Sequence, residues 1–265
     1  MPSDIRRTYL DSHLGQLHCH MAGVVSSHAL VLLHQTASAG VMFDALMPHL
    51  DVAFVVAPDT PGFGNSFIPS EPFSISVAAD AIYSALARAG IKTFDLFGHH
   101  TGAAVAVQIA TEHPHVVRKI ALSGPPLLTD AQKEGLTKTI APPVLDESGS
   151  YLLSTWNRIR KRAPQAPRTF TLRETLLTLS VGTRYPEAYH AVFAMDFGAQ
   201  LKTLSHPVLV LGGEHDPLRA SVEPTAALLA NSQIAIIPDA GPFMCDLQPP
   251  QVAALLNPFY SDSQV

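Results

Sequence analysis

The chain is poor in cysteine, in charge and in long apolar runs, and each shortage removes a class of protein. Two cysteines occur in 265 residues, Cys19 and Cys245. They lie far apart in unlike contexts, so neither a disulfide framework nor a Cys-x-x-Cys metal or redox motif is expected, and a reducing compartment is. Charged residues are 15% of the chain, and 17 Lys and Arg against 22 Asp and Glu give a net charge of −5. That balance offers no basic face to nucleic acid. No uninterrupted apolar stretch approaches the ~20 residues needed to span a bilayer. Residues 1–11 are polar and read as neither a signal peptide nor an anchor. No Gly-x-Gly-x-x-Gly opens a helix and there is no P-loop, so no cofactor is expected. These exclusions describe a cytoplasmic protein with a small-molecule substrate, no nucleic-acid or membrane partner, and room for a homodimer.

What is present is core material. Hydrophobic residues make up 47% of the chain, enough to exclude disorder as the main state and to build one large domain or a domain with an insert. Short apolar runs at 29–33, 52–56, 94–97, 117–122, 207–211 and 233–237 read as buried strands, with a looser alternation at 17–21. Helical stretches fall around 41–47 and over 76–89, 103–112, 222–230 and 249–260. Strands alternating with helices predict βαβ units and a mostly parallel sheet covered on both faces. Between Gly124 and His206 the alternation stops, and helical segments at 150–162, 172–179 and 186–193 take its place. The expected division is a core of 1–124 and 206–265 with a helical lid insert at 125–205.

The chemistry-bearing motifs fall at the ends of the predicted strands. Asp95-Leu-Phe-Gly-His-His-Thr-Gly-Ala-Ala104 is a strand, a Gly-x-His-x-Gly turn and a helix of small residues. It resembles the Gly-x-Ser-x-Gly nucleophile elbow of the α/β-hydrolase fold. Three further segments follow the same order. Val31-Leu-Leu-His-Gln-Thr36 is similar to the strand and loop that supply one oxyanion-hole N–H. Asp59-Thr-Pro-Gly-Phe-Gly-Asn-Ser66 resembles the family's Asp-x-Pro-Gly turn, and Gly212-Gly-Glu-His-Asp216 the loop presenting the triad acid. The resemblance spans about residues 5 to 260. It implies an α/β-hydrolase fold: a mostly parallel central sheet flanked by helices, with 125–205 as the lid and hydrolase chemistry.

Two positions depart from that family. The middle of the elbow is His100, not a serine, and the place of the triad histidine reads Pro238-Asp-Ala-Gly-Pro-Phe243, with no histidine after His215. Of the usual triad only the acid position, Asp216, remains. Three readings follow. His100 is a general base oriented by Asp216, directly or through a water, acting on water or on a substrate carbon; a covalent N-acyl histidine is a variant of this reading. Alternatively the elbow has lost its nucleophile and the pocket only binds. The third reading is a metal site drawn from His34, His99, His100, His215 and Asp216, against which stands the absence of His-x-His or His-x-x-x-His spacing.

In the enzymatic reading, the backbone N–H groups of Thr36 and Thr101 stabilise an oxyanion or enolate, helped by the N-terminus of the helix that Thr101 opens. His34, Gln35, His99, Trp156 and Phe243 are candidates for contact with substrate, with bracing of the oxyanion loop open to His34 and a place beneath the pocket open to His99. Among the lid's basic residues, Arg158, Arg160, Lys161, Arg162 and Arg168, one turned inward would clamp an anionic group, whereas a solvated face is the plainer alternative. Trp156, Phe170, Tyr185, Tyr189, Phe193 and Phe197 supply aromatic wall. Asp44, Asp59, Asp95 and Asp239 read as turn or cap residues, Cys245 as buried filler, and the remaining histidines as surface or packing. The substrate expected is a small, mostly apolar carbonyl compound. Ester or lactone hydrolysis and a lyase-, decarboxylase-, cyclase- or isomerase-type proton transfer both remain open.

Overall fold

The computed structural model describes residues 4–261; residues 1–3, the start of the polar N-terminal stretch, and 262–265 lie outside the described residues. The apolar runs become the middle of an eight-stranded sheet: β1 (Arg6–Asp11), β2 (Gln16–Gly23), β3 (His28–Leu33), β4 (Phe54–Pro58), β5 (Thr93–His99), β6 (Val117–Ser123), β7 (Val208–Gly213) and β8 (Ser232–Ile237). Their spatial order is β1-β2-β4-β3-β5-β6-β7-β8. β2 runs antiparallel to β1 and β4, and every other pairing is parallel.

Helices α1 (Ile75–Arg88) and α2 (Thr101–Glu112) flank β5, and α8 (Val222–Ala227) joins β7 to β8. The chain ends in α9 (Met244–Leu247) and α10 (Pro249–Tyr260). Between β6 and β7 lie α3 (Asp130–Thr137), α4 (Ser150–Arg162), α5 (Arg168–Val181), α6 (Tyr185–Ala194) and α7 (Phe197–Leu201). No helix among the described residues is long and apolar enough to cross a membrane.

The period of two along β3 explains how both faces are filled. Val31 and Leu33 join a core with Ala78, Ile82, Ala104 and Val107 of α1 and α2, whereas Leu30 and Leu32 join another with Phe43, Leu46, Val252 and Leu256. A strand buried on both faces is what a run without polar alternation requires. Ser74 caps α1 by accepting from the Val77 N–H, satisfying one of the orphan donors of the first turn.

Local differences have local causes. The helical stretch anticipated around 41–47 is two 3-10 turns, Gly40–Phe43 and Met47–His49. Pro48 has no N–H to return to the carbonyl four residues back, so a regular helix cannot run through it. β1, α3 and α9 carried no periodicity strong enough to be read from the sequence.

Candidate active site

His100 lies between the last residue of β5 and the first of α2, with φ 52° and ψ −112°. Among the described residues only His100 and Asp239 place a side chain other than glycine's at positive φ. Such backbone costs on the order of 1–3 kcal/mol and is held by its surroundings. Here the hold is the packing of α2 onto β3: a Cβ at Gly102 would lie 2.0 Å from the Leu33 carbonyl oxygen, so only glycine lets the helix start this close to the strand.

The imidazole extends from the elbow across Gly124, at the end of β6, toward the loop after β7. His100 Nε2 is 2.8 Å from Asp216 Oδ2, with the carboxylate fully buried and the imidazole 16% exposed. Burial pushes the Asp216 carboxyl up, but the charge and hydrogen bond of His100, the charge of His99 and the Leu218 N–H outweigh it and hold the group at about 2. The Leu218 N–H reaches Asp216 Oδ1 at 2.7 Å. An ionised carboxylate can only accept, so Nε2 carries the proton and Nδ1 of the neutral ring holds the lone pair. Among the described residues no protein group bonds that Nδ1.

His99 stacks beneath His100, ring centroids 4.3 Å apart and 21° from parallel. Its Nε2 donates to the Pro242 carbonyl at 2.9 Å, so Nδ1 accepts from the Ser123 hydroxyl at 2.7 Å. Burial, then the charge of His100, lowers its pKa to about 3, so the ring is neutral. Pro242, standing where the resemblance places a triad histidine, thus contributes a carbonyl, which also accepts from Gln35 Nε2 at 3.3 Å.

On the opposite side the hydroxyls of Thr36 and Thr101 bond each other at 2.8 Å. This ties the loop after β3 to the head of α2. The Thr101 N–H, in the first turn of α2, has no carbonyl within its own helix to bond. Gln35, Thr36, His100, Thr101 and Pro242 open on a cavity of about 110 Å³ whose remaining wall is Pro126, Leu128, Leu136, Arg162, Tyr189, Val192, Phe193, Pro217 and Leu218. A smaller cavity of about 30 Å³ shares Gln35, Thr36 and Arg162 and adds Arg158, Glu174, Thr178, Tyr185 and Phe243.

Four residues anticipated at the substrate are placed elsewhere. His34 is buried with both nitrogens committed: Nδ1–H donates to the Gln35 carbonyl and Nε2 accepts from the Thr60 N–H, each at 2.9 Å. Burial lowers its pKa; it braces the loop rather than facing the cavity. His99 lies under the site, not in its wall. Trp156 lines neither cavity. On α4 the buried residues are Thr155 and Ile159, with Arg158 half-buried and Arg162 exposed at the end of the same face, and one residue's step of about 100° turns Trp156 off that face. Phe243 borders only the smaller cavity, packed edge-on to Phe170 with centroids 5.1 Å apart. Of the five candidates, Gln35 alone faces the space in front of His100.

A model of the α/β-hydrolase fold matches residues 28–249. The chain belongs to the α/β-hydrolase fold family. Two curated relatives match over short stretches. The pyrrolizixenacetamide deacetylase of Xenorhabdus hominickii is 35% identical over 97 residues, covering 36% of each chain. The pimeloyl-[acyl-carrier protein] methyl ester esterase of Neisseria meningitidis serogroup C is 38% identical over 94 residues, 35% of this chain and 34% of that one. The matched stretch therefore spans about a third of these relatives. Whole-chain likeness is structural. The bromoperoxidase of Bacillus anthracis superposes with TM-score 0.80 at 16% identity, over 97% of this chain and 100% of that one. A 2-hydroxy-6-oxo-6-phenylhexa-2,4-dienoate hydrolase from Rhodococcus sp. strain RHA1 gives 0.79 at 21%, over 97% and 99%.

Several polar pairs of this α/β-hydrolase chain were not apparent in the sequence. His18 Nδ1 meets Asp59 Oδ2 at 2.8 Å, His20 Nδ1 meets Asp44 Oδ1 at 2.6 Å and His28 Nε2 meets Asp95 Oδ2 at 3.0 Å. Asp59 also accepts from the Gly40 and Asn65 N–H groups, so its carboxylate pins the Pro-Gly turn to β2. The available signal was two histidines at i and i+2 on one face of a buried strand, with aspartates in nearby turns. Among the described residues two groups have the donor types for a metal. His99, His100 and Asp216 bring ligand atoms within 4.8 Å of one another, as do the exposed Glu214, His215 and Asp239. In the first group an ion would have to displace the His100–Asp216 bond or a partner of His99.

Under the smaller cavity, Arg173 of α5 bonds Glu174 at 2.8 Å and Asp246 of α9 at 2.7 Å. Asp246 Oδ2 is buried without a hydrogen-bond partner. Burial raises the Asp246 carboxyl; Arg173 opposes this and Glu174 adds to it, leaving it at about 7. A carboxyl raised by folding stabilises the fold while protonated, and that contribution is lost as pH rises through the folded value. D246N is therefore expected to gain thermal stability relative to the parent chain as pH rises from about 4 to about 7. Melting curves across that range check it, and a constant difference would reject the raised carboxyl.

Proposed function

We propose that this chain is a cofactor-independent enzyme acting on a small, mostly apolar carbonyl compound, with His100 as general base in place of a serine nucleophile. The observation that carries the reading is the direct His100–Asp216 bond beneath a cavity mouth, with the lone pair left on Nδ1. In hydrolysis, Nδ1 takes a proton from water as its oxygen attacks the carbonyl carbon. The N–H groups of Thr36 and Thr101 hold the oxyanion, and the imidazolium, paired with Asp216, returns the proton to the departing group. Helices α3–α7 serve as the lid, supplying Leu128, Leu136, Val192 and Phe193 as apolar wall. The two curated relatives, a deacetylase and a methyl ester esterase, support ester or amide cleavage as the first class to test. The same base acting on a C–H next to a carbonyl would give lyase, decarboxylase, cyclase or isomerase chemistry.

D216N tests the role of the acid. An asparagine amide donates to Nε2 and forces the imidazole proton onto Nδ1, removing the base without moving the ring. Turnover of short esters and lactones, followed by product NMR, is expected to fall by about 10²–10⁴-fold with KM little changed. Rapid-quench mass spectrometry is expected to find no acyl adduct on His100; an adduct would replace the base with the N-acyl route. Ligand-induced stabilisation without product across the panel would make the pocket a binding site instead.

A further inference from the structure

The cavity in front of His100 has one guanidinium in its wall and no carboxylate: Arg162, the last residue of α4. The same guanidinium borders the smaller cavity, so it stands where the two meet, next to Thr36. Among the described residues no acidic group lies within ion-pair distance of it, and α4 itself carries none.

Arg158, one turn earlier on the same face of α4, is already engaged. Its Nη1 donates to the Tyr185 hydroxyl at 3.1 Å, and its guanidinium lies 5.1 Å from that ring's centroid. The Tyr185 hydroxyl in turn meets that of Tyr189 at 3.2 Å. The acid of the smaller cavity, Glu174, is buried and bound to Arg173. The local balance is thus two cations against one neutralised acid. The smaller cavity, at about 30 Å³, has room for about two oxygen-sized atoms.

We infer that the substrate bears a carboxylate, held by Arg162 in the smaller cavity while its carbonyl sits between Thr36, Thr101 and His100. A planar guanidinium fork matches a carboxylate and forms the stronger, charge-assisted type of hydrogen bond. The apolar body of the molecule then packs on Leu128, Leu136, Val192 and Phe193. This rests on reading the His100 cavity as the substrate site, and it makes Arg162 the residue that selects keto acids or acid esters over their neutral counterparts.

The test uses two matched pairs, levulinate with levulinamide and phenylacetate with phenylacetamide, titrated calorimetrically into the full chain. The acid of each pair is expected to bind about tenfold more tightly than the amide. R162Q is expected to bring each pair within about twofold, and R162K to recover part of the preference. H100N separates the guanidinium from the imidazole. If the acid is held by Arg162, H100N keeps the preference; if it sits in the oxyanion site against the imidazole, H100N removes it and R162Q does not. That second pattern overturns the inference, as does equal binding of acid and amide, or failure of both to bind at millimolar concentration. Loss of the general-base reading, by contrast, would leave an R162Q-sensitive acid preference intact.

Discussion

Replacing His100 by alanine is expected to lower kcat/KM by about 10²–10⁴-fold, because the nitrogen proposed to move the proton is gone while the N–H groups of Thr36 and Thr101 remain. The same change leaves the Asp216 carboxylate buried with only the Leu218 N–H as its close partner. An orphaned buried acceptor costs about 1–3 kcal/mol, more when charged. H100A should therefore also melt earlier at neutral pH. In the parent chain the Asp216 carboxyl is depressed to about 2, so its stabilising contribution is present above its unfolded value and is lost as pH falls through the folded one. In H100A that contribution shrinks, and the melting difference should narrow toward low pH. The double variant H100A/D216N should regain most of the stability and none of the turnover. Thermal melts and steady-state kinetics on the three variants check both halves. Turnover in H100A within about tenfold of the parent would remove His100 from the chemistry.

Gly124→Ala is expected to have an effect of similar size on turnover without touching a titratable group. A Cβ there would lie 2.5 Å from His100 Cδ2 and 2.7 Å from Nε2, and the residue has φ +53°. The left-handed backbone alone costs alanine about 1 kcal/mol or more, and the contact forces the imidazole off its line to Asp216. The downfield proton resonance of an Asp-bound Nε2–H should appear in the parent chain and be lost in G124A, together with activity. An active G124A that retains the resonance would show that the ring tolerates displacement.

The strands of this fold were legible because burial on both faces leaves uninterrupted apolar runs, as at 29–33 and 52–56, and because Gly98 and Gly102 bracket a turn that few other contexts require. The site was legible in part. The sequence placed His100 and Asp216 at the same edge of the sheet, after β5 and β7, but β6 lies between these strands, and whether the two side chains touch depends on Gly124, whose missing Cβ opens the path between them. The spacing of Gly98 and Gly102 singled out His100, but nothing in the order of residues showed that His99 is sealed under it. For His34 and His99 the sequence left a bracing or buried place open beside contact with substrate and could not choose, and for Trp156 and Phe243 a position along the chain said little about the direction of the side chain. The buried His–Asp pairs were hidden because each aspartate had an adequate local explanation as a turn residue.

The Pro242 carbonyl has a consequence for any conversion of this chain to a serine esterase. Installing serine at 100 would supply a hydroxyl with no imidazole to activate it, since position 242 offers only a backbone oxygen that His99 and Gln35 already occupy. Installing histidine at 242 while His100 remains would bring a second ring to a site where one imidazole already reaches Asp216. Neither single exchange supplies both a serine hydroxyl and an imidazole to activate it, so a serine-type triad here would need at least a paired change at 100 and 242.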